Sequence, residues 1–252
     1  MEESYVKYSI ENNIGRIEFF TPQHNSLPAK ILSQLATTID AAGKDNESKV
    51  LILQSGGDKT FCAGANFDEL LLIETEEQGL EFFSGFANVI NALRECPKFI
   101  IGRIQGKAIG GGAGLASSCD YCYATVHAAI KLSELAVGIG PFVVGPSVER
   151  KIGTTAAYEL AIDANNFRTA QWAKEKGLYA QVFDTIELMD QSINKFAATL
   201  AASSPVAMKE IKKIFWKGTE HWNELLKERA AISGRLILTD YAKNAIASFK
   251  NK

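Results

Sequence analysis

One acidic residue, Glu134, lies in a mostly apolar run beside a constricted loop. The run covers residues 129–136, and the following residues 137–146 include three glycines and two prolines. A carboxylate in such surroundings is partly desolvated, which raises its pKa and suits it to proton transfer. The pattern predicts that Glu134 is an acid/base residue, although a solvent-facing glutamate at a strand end would look the same.

Two loops of small residues could bind a negatively charged oxygen. Each follows a predicted buried strand and opens a predicted helix: Ala63-Gly64-Ala65 and Gly110-Gly111-Gly112. Small residues let a ligand approach the backbone, and a helix N-terminus offers unpaired N–H groups. Two such groups aimed at one point form an oxyanion hole for an enolate. Tight packing between strand and helix also selects glycine, so both interpretations stay open.

Other familiar motifs do not fit. Residues 102–108 are one residue short of a P-loop and lack its hydroxyl, and residues 110–114 match a dinucleotide fingerprint only in part. There is no G-x-S-x-G nucleophile elbow, and the three histidines form no cluster. Cys119 and Cys122 form a lone C-x-x-C, so we expect reduced, structural thiols and no metal site.

Composition narrows the function classes further. The 252 residues are 46% hydrophobic and 22% charged, with a formal net charge of −2, as in an ordinary globular protein. This charge argues against nucleic acid as a partner, because phosphate binding needs a basic surface. No apolar run approaches the roughly 20 residues of a membrane span, and the N-terminus does not resemble a secretory signal. We expect a cytoplasmic protein without a membrane partner.

The elements that must position these residues suggest an α/β architecture. Strands are predicted at 5–10 and 16–20, and residues 50–53 and 99–104 are apolar enough for strands covered on both faces. Each of the latter two leads through a glycine-containing loop into a helix. From about residue 185 onwards the pattern is helical, which divides the chain into a core (1–184) and a C-terminal helical region (185–252).

Several ordered segments resemble the crotonase family, the enoyl-CoA hydratase/isomerase superfamily. They are His24-Asn25-Ser26-Leu27, residues 61–67, Gly106 through Cys119-Asp120, and residues 134–153. The resemblance implies a spiral of repeated strand–strand–helix units, followed by helices that assemble a homotrimer or a dimer of trimers. It also implies an acyl-CoA substrate, with coenzyme A present only as part of the thioester and no separate cofactor.

The resemblance also assigns roles to residues. The N–H groups of Ala65 and Gly111 would bind the thioester oxygen, and Glu134 would be catalytic. We expect further contacts with the acyl-CoA from Ala63, Gly64, Gly110, Gly112, Gly114, Pro141 and Phe142. The substrate would carry a short or medium acyl chain from fatty-acid or branched-chain amino-acid breakdown.

One departure from the family pattern concerns the reaction. Hydratases of this family place a second glutamate at the position of Gly114, whereas the 3,2-enoyl-CoA isomerases resemble this chain in having one glutamate and a nearby proline–aromatic pair, here Pro141-Phe142. One carboxylate can move a proton between two carbons, but hydration usually employs two. Isomerisation is therefore favoured, with Asp68 and Glu69 as less favoured second acids.

Two alternatives remain. The chain could hydrate enoyl-CoA, branched substrates included, with a non-standard second group. It could also be a weakly catalytic homologue that binds acyl-CoA.

Overall fold

The computed structural model describes residues 3–250. Its strands are β1 (Tyr5–Glu11), β2 (Ile14–Phe20), β3 (Ser26–Leu27), β4 (Val50–Ser55), β5 (Thr60–Cys62), β6 (Gly64–Ala65), β7 (Ile100–Ile104), β8 (Lys107–Ile109), β9 (Tyr121–Thr125), β10 (Ile130–Lys131) and β11 (Gln181–Phe183). Its α-helices are α1 (Ala29–Lys44), α2 (Phe67–Leu71), α3 (Glu76–Glu95), α4 (Gly111–Ser118), α5 (Gly145–Ile162), α6 (Ala170–Glu175), α7 (Ile186–Ala201), α8 (Pro205–Phe215), α9 (Trp222–Leu236) and α10 (Asp240–Lys250).

A structural unit repeats along the first two thirds of the chain. A strand of the large sheet is followed by a short strand of a smaller sheet and then by a helix, as in β2–β3–α1 and β7–β8–α4. The large sheet has the order β1-β2-β4-β7-β9-β11 and is parallel except for the β1–β2 hairpin. This arrangement confirms the predicted spiral α/β fold.

Strand β4 shows why the central strands are apolar on both faces. Leu51 and Leu53 belong to the main core, whereas Val50 and Ile52 belong to a second cluster completed by α7. All four side chains are fully buried. The sheet is thus covered on both sides, as the apolar run predicted.

The three-stranded sheet β10-β8-β5 positions the predicted site. Its strands are parallel, so their C-terminal ends lie at one edge. The chain leaves β5 into Ala63, β8 into Gly110, and β10 into the segment that contains Glu134. Three segments distant in sequence therefore meet at one place.

Local backbone features set the bounds of two helices in the second half of the chain. Helix α5 is interrupted at Gly153, which has φ 76° and ψ 160°. Helix α6 begins at Ala170. Arg168 pairs through its backbone with Ile130, and the Thr169 side chain caps the helix by accepting from the Trp172 N–H.

The C-terminal helices pack on the rest of the chain. Helix α9 crosses α3 where Gly79 and Gly234 face each other; a Cβ atom at Gly79 would lie 2.5 Å from the Gly234 Cα. The main core runs across residue 184 and includes Leu226 of α9 and Ile246 of α10. The two-part division of the chain stays a prediction. Within residues 3–250, no helix is both long and apolar enough to cross a membrane.

Candidate active site

A narrow, mostly apolar cavity opens at the edge of the three-stranded sheet. Its volume is about 50 Å³. Eight of the ten predicted site residues line it together: Ala63, Gly64, Ala65, Gly110, Gly111, Glu134, Pro141 and Phe142. The other two, Gly112 and Gly114, do not. Tertiary packing thus brings together residues separated by up to 79 positions.

Glu134 lies against the start of α4. It follows β10 and immediately precedes a 3₁₀ turn, Leu135–Val137. The Gly110 N–H donates to the Lys131 carbonyl oxygen over 2.8 Å, which ties the two segments together. A Cβ atom at Gly110 would lie 3.0 Å from Glu134 Oε1, and Gly110 has φ 53°. The positive φ favours glycine at this position, and a Cβ atom there would crowd the adjacent carboxylate.

The Glu134 carboxyl group is poorly solvated. Its Oε2 atom is buried and accepts no hydrogen bond. Burial raises the pKa of Glu134 from 4.5 to about 7, against smaller lowering effects of backbone N–H groups and the charge of Lys131. A carboxyl group with this pKa exchanges a proton readily at neutral pH. The sequence-based expectation of a desolvated carboxyl group is confirmed, and its catalytic role stays a prediction.

The first loop is held in place by the segment before α1. Strand β3 pairs in parallel with β6, so that Ser26 lies opposite Gly64 and Leu27 opposite Ala65. The buried Asn25 side chain donates to the carbonyl oxygens of Gly56 and Thr60, at 2.8 and 2.9 Å. Residues 24–27 therefore position the first loop of the site, although none of them lines the cavity.

The two small-residue loops approach each other closely. A Cβ atom at Gly64, which has φ 88°, would lie 3.3 Å from the Gly111 backbone nitrogen. Gly111 is the first residue of α4, so its N–H has no acceptor within the helix. Ala65 immediately precedes Asn66, the N-cap of α2. The geometry is compatible with an oxyanion hole formed by the N–H groups of Ala65 and Gly111, which stays a prediction.

Gly112 and Gly114 face protein atoms rather than the cavity. A Cβ atom at Gly112 would collide with the backbone of Cys62. One at Gly114 would lie 2.5 Å from Val144 Cγ1 and 2.8 Å from Val144 Cβ. Val144 itself lines the cavity. An apolar side chain therefore fills the space next to Gly114, the position at which the resemblance predicts the second glutamate of a hydratase.

The two less favoured acids point elsewhere. Glu69 Oε2 accepts from the Ala29 N–H over 2.7 Å, and Asp68 accepts from the Gln23 side chain over 3.2 Å. Neither lines the cavity. Among the lining residues in the described part of the chain, Glu134 is the only carboxylate.

Sequence reasoning missed several residues of the cavity wall. Phe83 and Phe86 come from α3, and Ser133 and Ser233 also line the cavity. Ser233 is buried and lies on α9, directly before the glycine that allows α9 to approach α3. The sequence feature that could have predicted this close helix crossing is the presence of two glycines, Gly79 and Gly234, within helical runs.

The cysteines lie in the core. All four are buried free thiols, and Cys122 Sγ lies 3.0 Å from the Ala116 carbonyl oxygen. Between residues 3 and 250, no group of three or more His, Cys, Asp or Glu side chains is arranged to hold a metal ion.

Comparisons with known proteins agree with the fold. The family model described as enoyl-CoA hydratase/isomerase matches residues 9–252. A putative enoyl-CoA hydratase/isomerase of Bacillus subtilis is 34% identical over 218 residues, covering 85% of this chain and 83% of that protein. A short-chain-enoyl-CoA hydratase of Clostridium acetobutylicum is 29% identical, covering 100% and 97%. The crystal structure of an enoyl-CoA hydratase from Bacillus halodurans superposes with a TM-score of 0.89 at 22% identity, covering 97% of this chain and 100% of that one.

Proposed function

Because the chain belongs to the enoyl-CoA hydratase/isomerase family, we propose that it moves the double bond of a 3-enoyl-CoA to the 2-position. The observation that carries this proposal is the single carboxylate of the cavity. Glu134 has an apolar neighbourhood and a pKa near 7, and Val144 occupies the space of a second acid. Coenzyme A enters only as part of the thioester.

In the proposed reaction, Glu134 acts first as a base and then as an acid. Its carboxylate removes a proton from C2 of the 3-enoyl thioester, and the resulting dienolate places negative charge on the thioester oxygen. The N–H groups of Ala65 and Gly111 stabilise that oxygen. Glu134 then returns the proton to C4, which leaves a 2-enoyl-CoA with no net gain or loss of atoms. The apolar wall keeps water away from the dienolate.

Hydration is the second candidate, and two observations favour it. A relative named as a short-chain-enoyl-CoA hydratase aligns with the entire chain. Ser133 and Ser233 also line the cavity, and the hydroxyl group of either could hold a water molecule. In this case Glu134 would have to both deprotonate the water and protonate C2. A third candidate, acyl-CoA binding with little catalysis, requires that Glu134 perform neither step.

Turnover of two substrate series separates these candidates. Purified protein is offered 3-enoyl-CoA and 2-enoyl-CoA of several chain lengths, and products are identified by chromatography. We expect conversion of 3-enoyl-CoA to dominate. Dominant hydration of 2-enoyl-CoA would overturn the isomerase assignment in favour of the hydratase.

Glu134→Gln is the matched control, since it keeps the size of the side chain and removes its acid/base function. We expect turnover to fall by at least about 10²–10⁴-fold, with the affinity for saturated acyl-CoA retained. If Glu134→Gln keeps full activity, Glu134 is not the acid/base residue. If the wild-type protein binds acyl-CoA but converts neither series, the third candidate replaces the proposal.

A further inference from the structure

The cavity around Glu134 is small for an acyl chain. Its volume of about 50 Å³ is a third of the roughly 150 Å³ of an engineered apolar cavity that admits benzene. Phe83, Phe86 and Val144 form much of the wall and are buried in the core. Only the first few carbons of an acyl group can therefore enter without a change in the wall.

A second, larger cavity lies on the other side of one short segment. Its volume is about 200 Å³, and its lining includes Leu132, Ala157 and Ala161. It shares two lining residues, Pro141 and Phe142, with the cavity around Glu134. These two residues therefore form the partition between a small cavity that holds the acid/base group and a larger one beyond it.

Phe142 is the bulky side chain of this partition, and its position is constrained locally. Its N–H donates to the Gly140 carbonyl oxygen over 2.7 Å, which folds the segment tightly. Its ring lies over Gly140: a Cβ atom there would be 2.6 Å from the Phe142 Cζ atom. A glycine at position 140 thus leaves room for the ring, and Pro141 restricts the backbone between them.

We propose that Phe142 limits the length of the acyl chain that this protein binds, because its side chain separates the cavity around Glu134 from the second cavity. The inference rests on the proposed function, because it takes an acyl-CoA as the ligand. With Phe142 in place, a short acyl chain fills the available space. Removing the ring joins the two cavities, and the distal carbons of a longer chain then enter the space lined by Ala157 and Ala161.

Binding of saturated acyl-CoAs tests this without relying on turnover. Butyryl-, octanoyl- and dodecanoyl-CoA are titrated into wild-type protein and Phe142→Ala by calorimetry. Each methylene group newly buried should raise affinity about fourfold. We therefore expect the ratio of the affinity for octanoyl-CoA to the affinity for butyryl-CoA to be at least tenfold higher in Phe142→Ala than in the wild type.

Two further variants show where the longer chain goes. Phe142→Ala combined with Ala161→Phe fills the second cavity and should remove the gain for octanoyl-CoA. Phe67→Ala is the matched control, because Phe67 lines the first cavity and not the second. It shortens an aromatic side chain without joining the cavities, so it should not produce a gain that depends on Ala161.

The possible outcomes separate this inference from the proposed function. An unchanged chain-length preference in Phe142→Ala, with butyryl-CoA still bound, overturns the role of Phe142 and leaves the proposed function intact. Failure of folded wild-type protein to bind any acyl-CoA overturns both. If Phe142→Ala does not fold, the binding of acyl-CoAs by Phe142→Leu and by the single variant Ala161→Phe tests the inference instead. Tighter binding of octanoyl-CoA by Phe142→Leu than by the wild type supports the role of Phe142 as a barrier. If the wild type binds dodecanoyl-CoA tightly and Ala161→Phe abolishes that binding, Phe142 is not a barrier.

Discussion

The surroundings of the Glu134 carboxyl group destabilise its ionised form. Its Oε2 atom is buried without a hydrogen-bond partner, and burial raises its pKa to about 7. The same burial matches the proton affinity of the group to work at neutral pH. At this residue, stability and reactivity are therefore opposed.

The opposition predicts how stability depends on pH. The folded-state pKa of about 7 exceeds the ordinary value of 4.5, so Glu134 favours folding below pH 4.5 and loses that contribution as pH rises towards 7. The Glu134→Gln variant cannot ionise. Its free energy of unfolding should therefore increase relative to that of the wild type across this window, by about 3 kcal/mol near pH 8. Urea unfolding of both proteins at several pH values measures the difference. A pH-independent difference would contradict the burial of an ionisable carboxyl group.

Activity should show the opposite dependence on pH. Proton removal from C2 needs the ionised carboxylate, so kcat/KM for 3-enoyl-CoA should increase about tenfold per pH unit below 7 and level off above it. Initial rates across the range, with a substrate that does not titrate, measure this profile. A flat profile from about pH 5.5 to 8.5 would mean that another group limits the reaction.

The sequence was sufficient to predict the desolvated carboxyl group of Glu134 but not its full surroundings. An acid in an apolar run beside a glycine- and proline-rich loop is a local pattern, and the desolvated carboxyl group follows from it. Ser233 is 99 positions from Glu134 and is brought to the cavity by a helix crossing, which no local pattern encodes. Val144 was likewise not predicted as the neighbour of Gly114, because they come from different elements.

At the scale of elements, the contact between α4 and the segment before α5 decides whether a second acid can be present. A Cβ atom at Gly114 would lie 2.5 Å from Val144 Cγ1, within a fully packed region. Gly114→Ala should therefore reduce the free energy of unfolding by about 1–3 kcal/mol. Combining it with Val144→Ala should be less destabilising than the sum of the two single changes. Denaturant unfolding of the four proteins gives the coupling, and strict additivity would mean that the two positions do not touch.

The crossing of α3 and α9 allows a second test. A Cβ atom at Gly234 would lie 2.7 Å from the Leu80 nitrogen and 2.8 Å from the Gly79 carbonyl carbon. Gly234→Ala should separate the helices, lower the free energy of unfolding by about 1–3 kcal/mol and weaken short acyl-CoA binding. Gly145→Ala is the matched control for stability, because nothing lies within 4 Å of its Cβ position. It should be neutral or slightly stabilising. Equal destabilisation by both changes would argue against a close crossing.

The elements themselves were largely predictable, because their signals are local. The apolar run at residues 50–53 matches β4, and the strands predicted at 5–10 and 16–20 match the β1–β2 hairpin. The short strands β5, β8 and β10 were not predicted. They have two or three residues each, too few to show a periodicity, and yet they bring the three site segments to one edge.

For the whole molecule, the outward face of α8 is the main unexplained surface. Its inward face is anchored by Lys212, which is buried, pairs with Asp120 over 2.8 Å and donates to the carbonyl oxygens of Leu93 and Lys98. Its outward side chains remain exposed, with Val206 and Phe215 each at 73% and Ile214 at 67%. Exposed apolar residues at this density suggest a protein contact.

The predicted homotrimer, or dimer of trimers, would cover this face. Light scattering during size-exclusion chromatography should give the mass of three or six chains. Changing Ile214 and Phe215 together to glutamate should shift the protein to monomer, because two charges would be buried at the contact. Leu188→Glu, at an exposed apolar position on α7, is the control and should leave the mass unchanged. A monomeric wild type would contradict the predicted assembly.

The crossing of α9 over α3 also has a consequence for the order in which the site is made. Ser233 reaches the cavity only after α9 has docked, whereas Glu134, Gly111 and Ala65 all precede it by about a hundred residues or more. During synthesis on the ribosome, the earlier strands and helices can fold as they emerge. A nascent chain would then carry Glu134 in a cavity that Ser233 does not yet line. The cavity would be complete only after the last helices have docked, so protein quality control would meet an open apolar cavity before substrate does.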